Sequence, residues 1–164
     1  MDDGKLDWED PVIDYLPEFR MYDPWVTREF TIRDLLTHRS GLPLGAGDLL
    51  MFPEAETSRE EIIRAMRFLK PSTSFRSEYA YDNLMYIIAG EVVGSASGML
   101  FEEFLEERLL FPLGMTDCAA TLGRTAKKAT RATPHVEVDG KLQTTLSLES
   151  DVGAAAGGIN CSAR

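Results

Sequence analysis

The chain has 164 residues, 44% hydrophobic and 27% charged, enough for one domain with a substantial core and ordinary for a globular protein. Its net charge of -10, with no basic stripe to neutralise phosphates, excludes nucleic acid as a partner. No apolar run approaches the roughly 20 residues that cross a bilayer, so no membrane-spanning helix is predicted.

Residues 1–30 read as an irregular lead-in, rich in acids, punctuated by Pro11, Pro17 and Pro24 and anchored by Trp8, Tyr15, Phe19 and Trp25. Its acidity reads as a solvated, extended connection, because no run reaches the length of a charged tail. Met1 is followed by two aspartates, not by a basic region and an apolar core, so no signal peptide is legible. Thr31 and Asp34 form a capping box opening a short helix through Leu35 and Leu36, which should stop near Gly41, with Pro43 preventing its resumption. Residues 43–56 read as a loop. Ser58 and Glu61 cap a second helix with Ile62, Met66 and Leu69 on one face, ending before Pro71. A polar connection, Ser72 to Tyr79, leads to a third helix from about Asp82. It carries Met85, Ile88, Ala89, Val92 and Ala96 on one side, with Gly98 as its C-terminal cap. A fourth, from about Leu100 to Phe111, should bury Phe101, Phe104, Leu105 and Leu109 and expose Glu102, Glu103, Glu106 and Glu107. Beyond it, Thr133 to Val138 and Leu142 to Leu148 flank Asp139-Gly140, a hairpin signal. The inventory is helix-rich, with few strands.

Catalytic and metal-binding patterns are sparse. Cys118 and Cys161 suffice for one disulfide in an oxidising compartment, and the sequence leaves their pairing open. With His38 and His135 the only histidines, a zinc site would need all four residues to converge, and no spacing matches a ligand pattern, so no metal and no cofactor are expected. Ser40 lies near His38 and Asp34, but adjacency in sequence does not make a triad. Ser40 and Gly41 read instead as helix-terminating residues, and His38 as a side chain satisfying nearby backbone carbonyls.

Several segments, in order, carry a more specific signal. Gly4-Lys5-Leu6-Asp7 through Pro11-Val12 and Tyr15-Leu16-Pro17 come first, then Leu35-Leu36-Thr37-His38-Arg39-Ser40-Gly41-Leu42-Pro43. Tyr81-Asp82-Asn83 and Phe111-Pro112-Leu113-Gly114-Met115 follow. Together they resemble the serine β-lactamase-like and penicillin-binding hydrolases, in particular relatives of the class C β-lactamases. The resemblance implies an α+β fold, an all-helical part against an antiparallel sheet, of which this chain is the helix-rich middle portion. It also implies a serine nucleophile, an acyl-enzyme and hydrolysis of a small-molecule ester, amide or peptide substrate. Tyr81 and Asn83 match the family's Tyr-x-Asn motif, the tyrosine as base or proton relay and the asparagine as positioner of the neighbouring lysine and the substrate amide. An ordinary phenol has a pKa of about 10, and lowering it by about three units needs about 4 kcal/mol, which the family's motif lysine is placed to supply. Asp82 stands where the family often has a small residue, and is expected to cap the helix and face outward.

Ser-x-x-Lys, Lys-Thr-Gly and His-x-Gly occur nowhere in the 164 residues. Thr125-Ala126-Lys127-Lys128 falls downstream of Tyr81, in the wrong order for a nucleophile. The expectation is an internal fragment, residues 1–164, lacking the N-terminal nucleophile segment and the C-terminal sheet segment. Met1 would begin where the nucleophile helix ends, and Gly157-Gly158 resembles the loop before the final helix and strands. The chain alone is then expected to be inactive. Family members are often exported, and the N-terminus that would carry a signal is expected to be missing. A degenerate relative, keeping the cleft as a non-catalytic binding or scaffold module, is the alternative.

Overall fold

Asn83–Ser97, the longest helix of the computed structural model, forms the axis about which residues 1–52, 57–125, 131–146 and 151–162, the described part of the chain, are arranged. Leu84, Met85, Ile87, Ile88, Gly90 and Val92 are all buried, so the helix is covered on more than the single face expected from its pattern. In chain order the helices are α1 (Val12–Tyr15), α2 (Pro24–Glu29), α3 (Ile32–Thr37), α4 (Arg59–Ala65), α5 (Asn83–Ser97) and α6 (Phe101–Leu105). α5 packs against α1, α3, α4 and α6, and against the turn Ala154–Ala156. That turn reaches α5 at Gly90, where a Cβ would fall 2.7 Å from Ala155 Cβ. The core joins α5 to Val12, Phe19, Phe30, Leu35, Leu42, Ile62, Ile63 and Met66.

The lead-in is more regular than its sequence predicts. Pro11 and Pro24 open α1 and α2, where a missing N–H costs nothing, and Asp23 accepts the Trp25 N–H at 2.6 Å as a cap. Val12 N–H donates to Phe30 O (2.9 Å) and Ile32 N–H to Asp10 O (3.1 Å), fastening the lead-in to the entry of α3. Of the four predicted aromatic anchors only Phe19 is fully buried, while Trp8 and Trp25 remain exposed.

The capping boxes at Thr31 and Ser58 form as read, and Gly98 ends α5 in the left-handed conformation. There the chain turns by 77° into α6 and a π-helical turn, Glu106–Leu110. In this stretch the expected exposure of two glutamates is wrong. Glu102 and Glu106 are buried, because each finds an arginine from a distant segment. Arg59 binds Glu102, donates to Glu91 Oε1 (3.1 Å), and reaches the carbonyls of Asp151 and Val152. Arg124 binds both oxygens of Glu106, with Nη2 to Oε2 at 2.8 Å, and Ala120 N–H donates to Glu106 Oε1 at 3.0 Å. Leu109, expected inside, is exposed, and Leu110 is buried instead.

The hairpin pairs β1 (His135–Val138) with β2 (Lys141–Thr144), antiparallel, through Asp139 (φ 51°) and Gly140 (φ 73°). It is the only sheet among the described residues, and all eight of its residues are exposed. The predicted second strand extended to Leu148, and positions 147 and 148 lie outside the described residues, as do Ala126, Lys127 and Lys128. Cys118 and Cys161 form a disulfide beside the bridge pairing Ala119 with Asn160. The helix-rich, sheet-poor α+β architecture agrees with the class expected. No single helix among the described residues is long and apolar enough to cross a membrane.

Arg59 therefore holds three segments together through charges removed from solvent. Arg59→Ala leaves Glu102 buried without its cation and should cost about 3–5 kcal/mol, read as a lowered urea midpoint with unchanged slope.

Candidate active site

The site begins where α3 stops. Helix α3 ends two residues before the predicted Ser40-Gly41 terminator, at His38, which is left-handed (φ 54°, ψ 40°). Such a backbone is uncommon for a non-glycine residue and requires support from its surroundings. The support is the segment leading into α5. Ala80 N–H donates to His38 O at 2.9 Å, and Asp82 N–H donates to His38 Nδ1 at 3.2 Å. The histidine thus accepts from a backbone N–H, rather than donating to carbonyls as its sequence context suggested.

The turn after His38 receives the rest of that segment. Gly41 O accepts from Ser72 N–H (2.9 Å) and Thr73 N–H (3.1 Å), and Arg39 O accepts from Arg76 N–H (2.9 Å). Gly41 sits at φ 89°, and a Cβ there would lie 2.9 Å from Thr73 O, so both conformation and contact require glycine. Ser40 is 3% exposed and its Oγ accepts the Leu42 N–H, as a turn residue does. Arg76 grips Asp34 with two bonds, Nε to Oδ1 at 2.9 Å and Nη2 to Oδ2 at 2.7 Å, and also donates to Glu29 O. Burial opposes ionisation of Asp34, but the bonds from Arg76 and Thr31 outweigh it and hold the carboxyl below its usual range.

The motif Tyr81-Asp82-Asn83 lies at the N-terminal end of α5. Asp82 caps the helix, its Oδ1 accepting the Leu84 N–H at 2.9 Å. The expected cap is present; the expected outward orientation is not, since Asp82 is 0% exposed. Its Oδ2 is buried with no hydrogen-bond partner. Burial, reinforced by the Asp48 carboxylate, pushes the Asp82 pKa up to about 7.

On either side of Asp82 the predicted site residues reach the surface side by side. Tyr81 is 43% exposed, with its ring 4.5 Å from that of His38, and its carbonyl accepts the Gly45 N–H at 3.0 Å. Asn83 is half-buried, and its Nδ2 donates to Asp48 Oδ1 at 3.1 Å. Residues 45–48 therefore hold both ends of the motif. Their only mark in the sequence is Gly45 and Gly47 just before Asp48. Chemically, the arrangement presents a phenol and a carboxamide at the N-terminal end of a helix, where the backbone dipole favours negative charge. Among the described residues no group of three or more His, Cys, Asp or Glu is placed to hold a metal ion.

The sequence matches the profile of the family described as Beta-lactamase over residues 1–164. A protein of Aspergillus campestris named an unguisins hydrolase is 32% identical over 124 residues, covering 70% of this chain and 23% of that protein. The D-alanyl-D-alanine-carboxypeptidase/endopeptidase AmpH of Escherichia coli is 28% identical over 125 residues, covering 74% of this chain and 32% of its own. The chain thus spans less than a third of the length of these curated relatives. The structure of a Beta-Lactamase/D-Alanine Carboxypeptidase from Pseudomonas syringae superposes with a TM-score of 0.75 at 17% identity, covering 98% of this chain and 42% of that one.

Asp82 yields a prediction on stability. Its folded pKa lies near 7 against an ordinary 3.8, so its favourable contribution is complete below about 3.8 and is lost as pH rises through about 7. Across that window the loss is on the order of 4 kcal/mol. Asp82→Asn keeps a capping oxygen and removes the proton. Urea midpoints measured from about pH 4 to 8 should lose that decline in the variant. An unchanged decline would place the titrating group elsewhere.

Proposed function

Because the chain belongs to the Beta-lactamase family, whose members are serine hydrolases, we propose that the whole protein hydrolyses an ester or amide through an acyl-enzyme, and that Tyr81 and Asn83 are two of its catalytic groups. The observation that carries the reading is the shared presentation of the Tyr81 phenol and the Asn83 amide on the first turn of α5. Gly45 and Asp48 hold the two ends of that motif at 3.0 and 3.1 Å.

The serine nucleophile comes from a segment outside these 164 residues, and the sheet strand that completes the site does too. In the acylation step the serine oxygen bonds to the substrate carbonyl carbon while its proton passes to the Tyr81 oxygen. As the tetrahedral intermediate collapses, the bond to the leaving amine or alcohol breaks and that proton goes to the leaving atom. Water then attacks the acyl carbon with the same group taking its proton; the bond to the serine oxygen breaks, that proton passes to the serine oxygen, and the acid leaves. Asn83 orients the substrate amide and the cation beside Tyr81; its bond to Asp48 leaves its Oδ1 free of that contact and able to accept. Residues 1–164 are then the helix-rich part of one hydrolase domain. Carboxypeptidase and endopeptidase activity in the name of the Escherichia coli relative supports a peptide or amide substrate class.

In the complete protein, Tyr81→Phe should lower the acylation rate by about 10²–10⁴-fold, with Asn83→Ala also impaired, measured with a fluorescent serine-acylating probe. The 164-residue chain alone should take up no label. Labelling of that chain, or full activity of Tyr81→Phe, would overturn the assignment.

A further inference from the structure

We infer that His38 is the positioning residue for Tyr81, and that proton uptake by its imidazole releases the Tyr81-Asp82-Asn83 motif from its ordered geometry. The consequence for catalysis rests on the reading of Tyr81 given above; the positioning itself does not.

Three contacts from one residue bracket Tyr81 along the chain and meet its ring. His38 O holds the preceding residue through Ala80 N–H (2.9 Å), and His38 Nδ1 holds the following one through Asp82 N–H (3.2 Å). The imidazole also lies against the Tyr81 ring, with centroids 4.5 Å apart and planes tilted by 33°. Tyr81 is thus fixed at the peptide group that follows it and at its ring, and the chain is held one peptide earlier at Ala80, while the remaining surface of Tyr81 stays open to solvent. Two further tyrosines fix the imidazole itself. Tyr86 stacks on it at 5.1 Å and donates its hydroxyl to Leu36 O, and Tyr79 meets it edge-on at 5.5 Å.

The bond at Nδ1 sets the protonation state. A nitrogen that accepts an N–H offers its lone pair, so the single ring proton sits on Nε2. Adding a proton to Nδ1 puts two N–H groups face to face and destroys the bond. Burial acts in the same direction, holding His38 below its ordinary pKa. The charged groups nearby do not compensate. Asp34, a turn earlier on α3, is committed to Arg76; Asp48, in the 45–48 turn, is committed to Asn83; Asp82 uses Oδ1 for its helix cap and is itself largely neutral. The rings packed against it are the phenols of Tyr79, Tyr81 and Tyr86. Their faces attract a cation, but they supply no acceptor at Nδ1. The sign follows: the motif is ordered above the His38 pKa and loosens as pH falls through it, below the ordinary value of 6.5.

The test uses NMR on this chain in an Asp82→Asn background, so that the neighbouring carboxyl does not titrate. The residue 82 amide and the Tyr81 ring resonances should move together with decreasing pH, with the midpoint of the His38 ring protons. His38→Asn tolerates the left-handed backbone and retains an acceptor oxygen, and in it both movements should vanish. Movements that follow a different midpoint, or that persist in His38→Asn, overturn the positioning role. If that variant does not fold, the agreement or disagreement of midpoints in the parent decides. In the complete protein the acid limb of kcat/KM should fall tenfold per pH unit below that midpoint and flatten in His38→Asn. A coupled titration with an unmoved acid limb leaves the positioning role standing and overturns instead the catalytic assignment of Tyr81.

Discussion

A fifteen-residue helix covered by protein on nearly every side cannot rely on water at its ends. The first turn of α5 brings orphan N–H groups into a low-dielectric region, and something in the chain must accept from them. Asp82 does so from within, and its own N–H is then satisfied by His38. From that requirement the rest of the site follows. The segment ahead of α5 must lie against the end of α3, so α3 must terminate where His38 can turn left-handed. The next turn must then present the Arg39 and Gly41 carbonyls to residues 72–76.

The solution places acids in unusual surroundings and treats them in two ways. Asp34, Glu102 and Glu106 are buried against arginines, so each carboxylate has a cation beside it. Asp82 is buried without a cation and with Asp48 close by, so its charge is suppressed. The first three tie distant segments together, and for Asp34 and Glu106 the arginine holds the carboxyl below its usual range. Asp82 sits at a helix end whose dipole partly offsets the cost, and there a neutral carboxyl still caps through its free carbonyl oxygen.

Features legible in the sequence were local ones. The capping boxes at Thr31 and Ser58, the Gly98 cap and the Asp139-Gly140 turn are short-range patterns whose physics is complete within a few residues. What escaped was set by partners remote in sequence. Glu102 and Glu106 lie on what reads as the wet face of a helix, and only Arg59 and Arg124, from elsewhere in the chain, draw them inside. The lead-in reads as irregular because its helices are four and six residues long, shorter than any hydrophobic period can reveal. Of the site, the pair Tyr81 and Asn83 was legible as a motif, whereas their support by Gly45, Asp48 and His38 was not.

Asp82 shows why its own orientation was misjudged. At the residue before a helix the backbone is still extended, φ -143° and ψ 113°, and side chains there alternate from one side to the other. If Tyr81 is to reach solvent, the next side chain must point into the protein, where the orphan N–H groups of α5 wait. The residue between tyrosine and asparagine therefore answers to the helix. A serine in that position would cap with a hydroxyl and leave nothing to titrate. An aspartate caps equally well but adds a second oxygen that the interior does not satisfy, and the fold accommodates it by keeping the proton on. That choice makes the stability of this site, unlike its cap, depend on pH near neutrality.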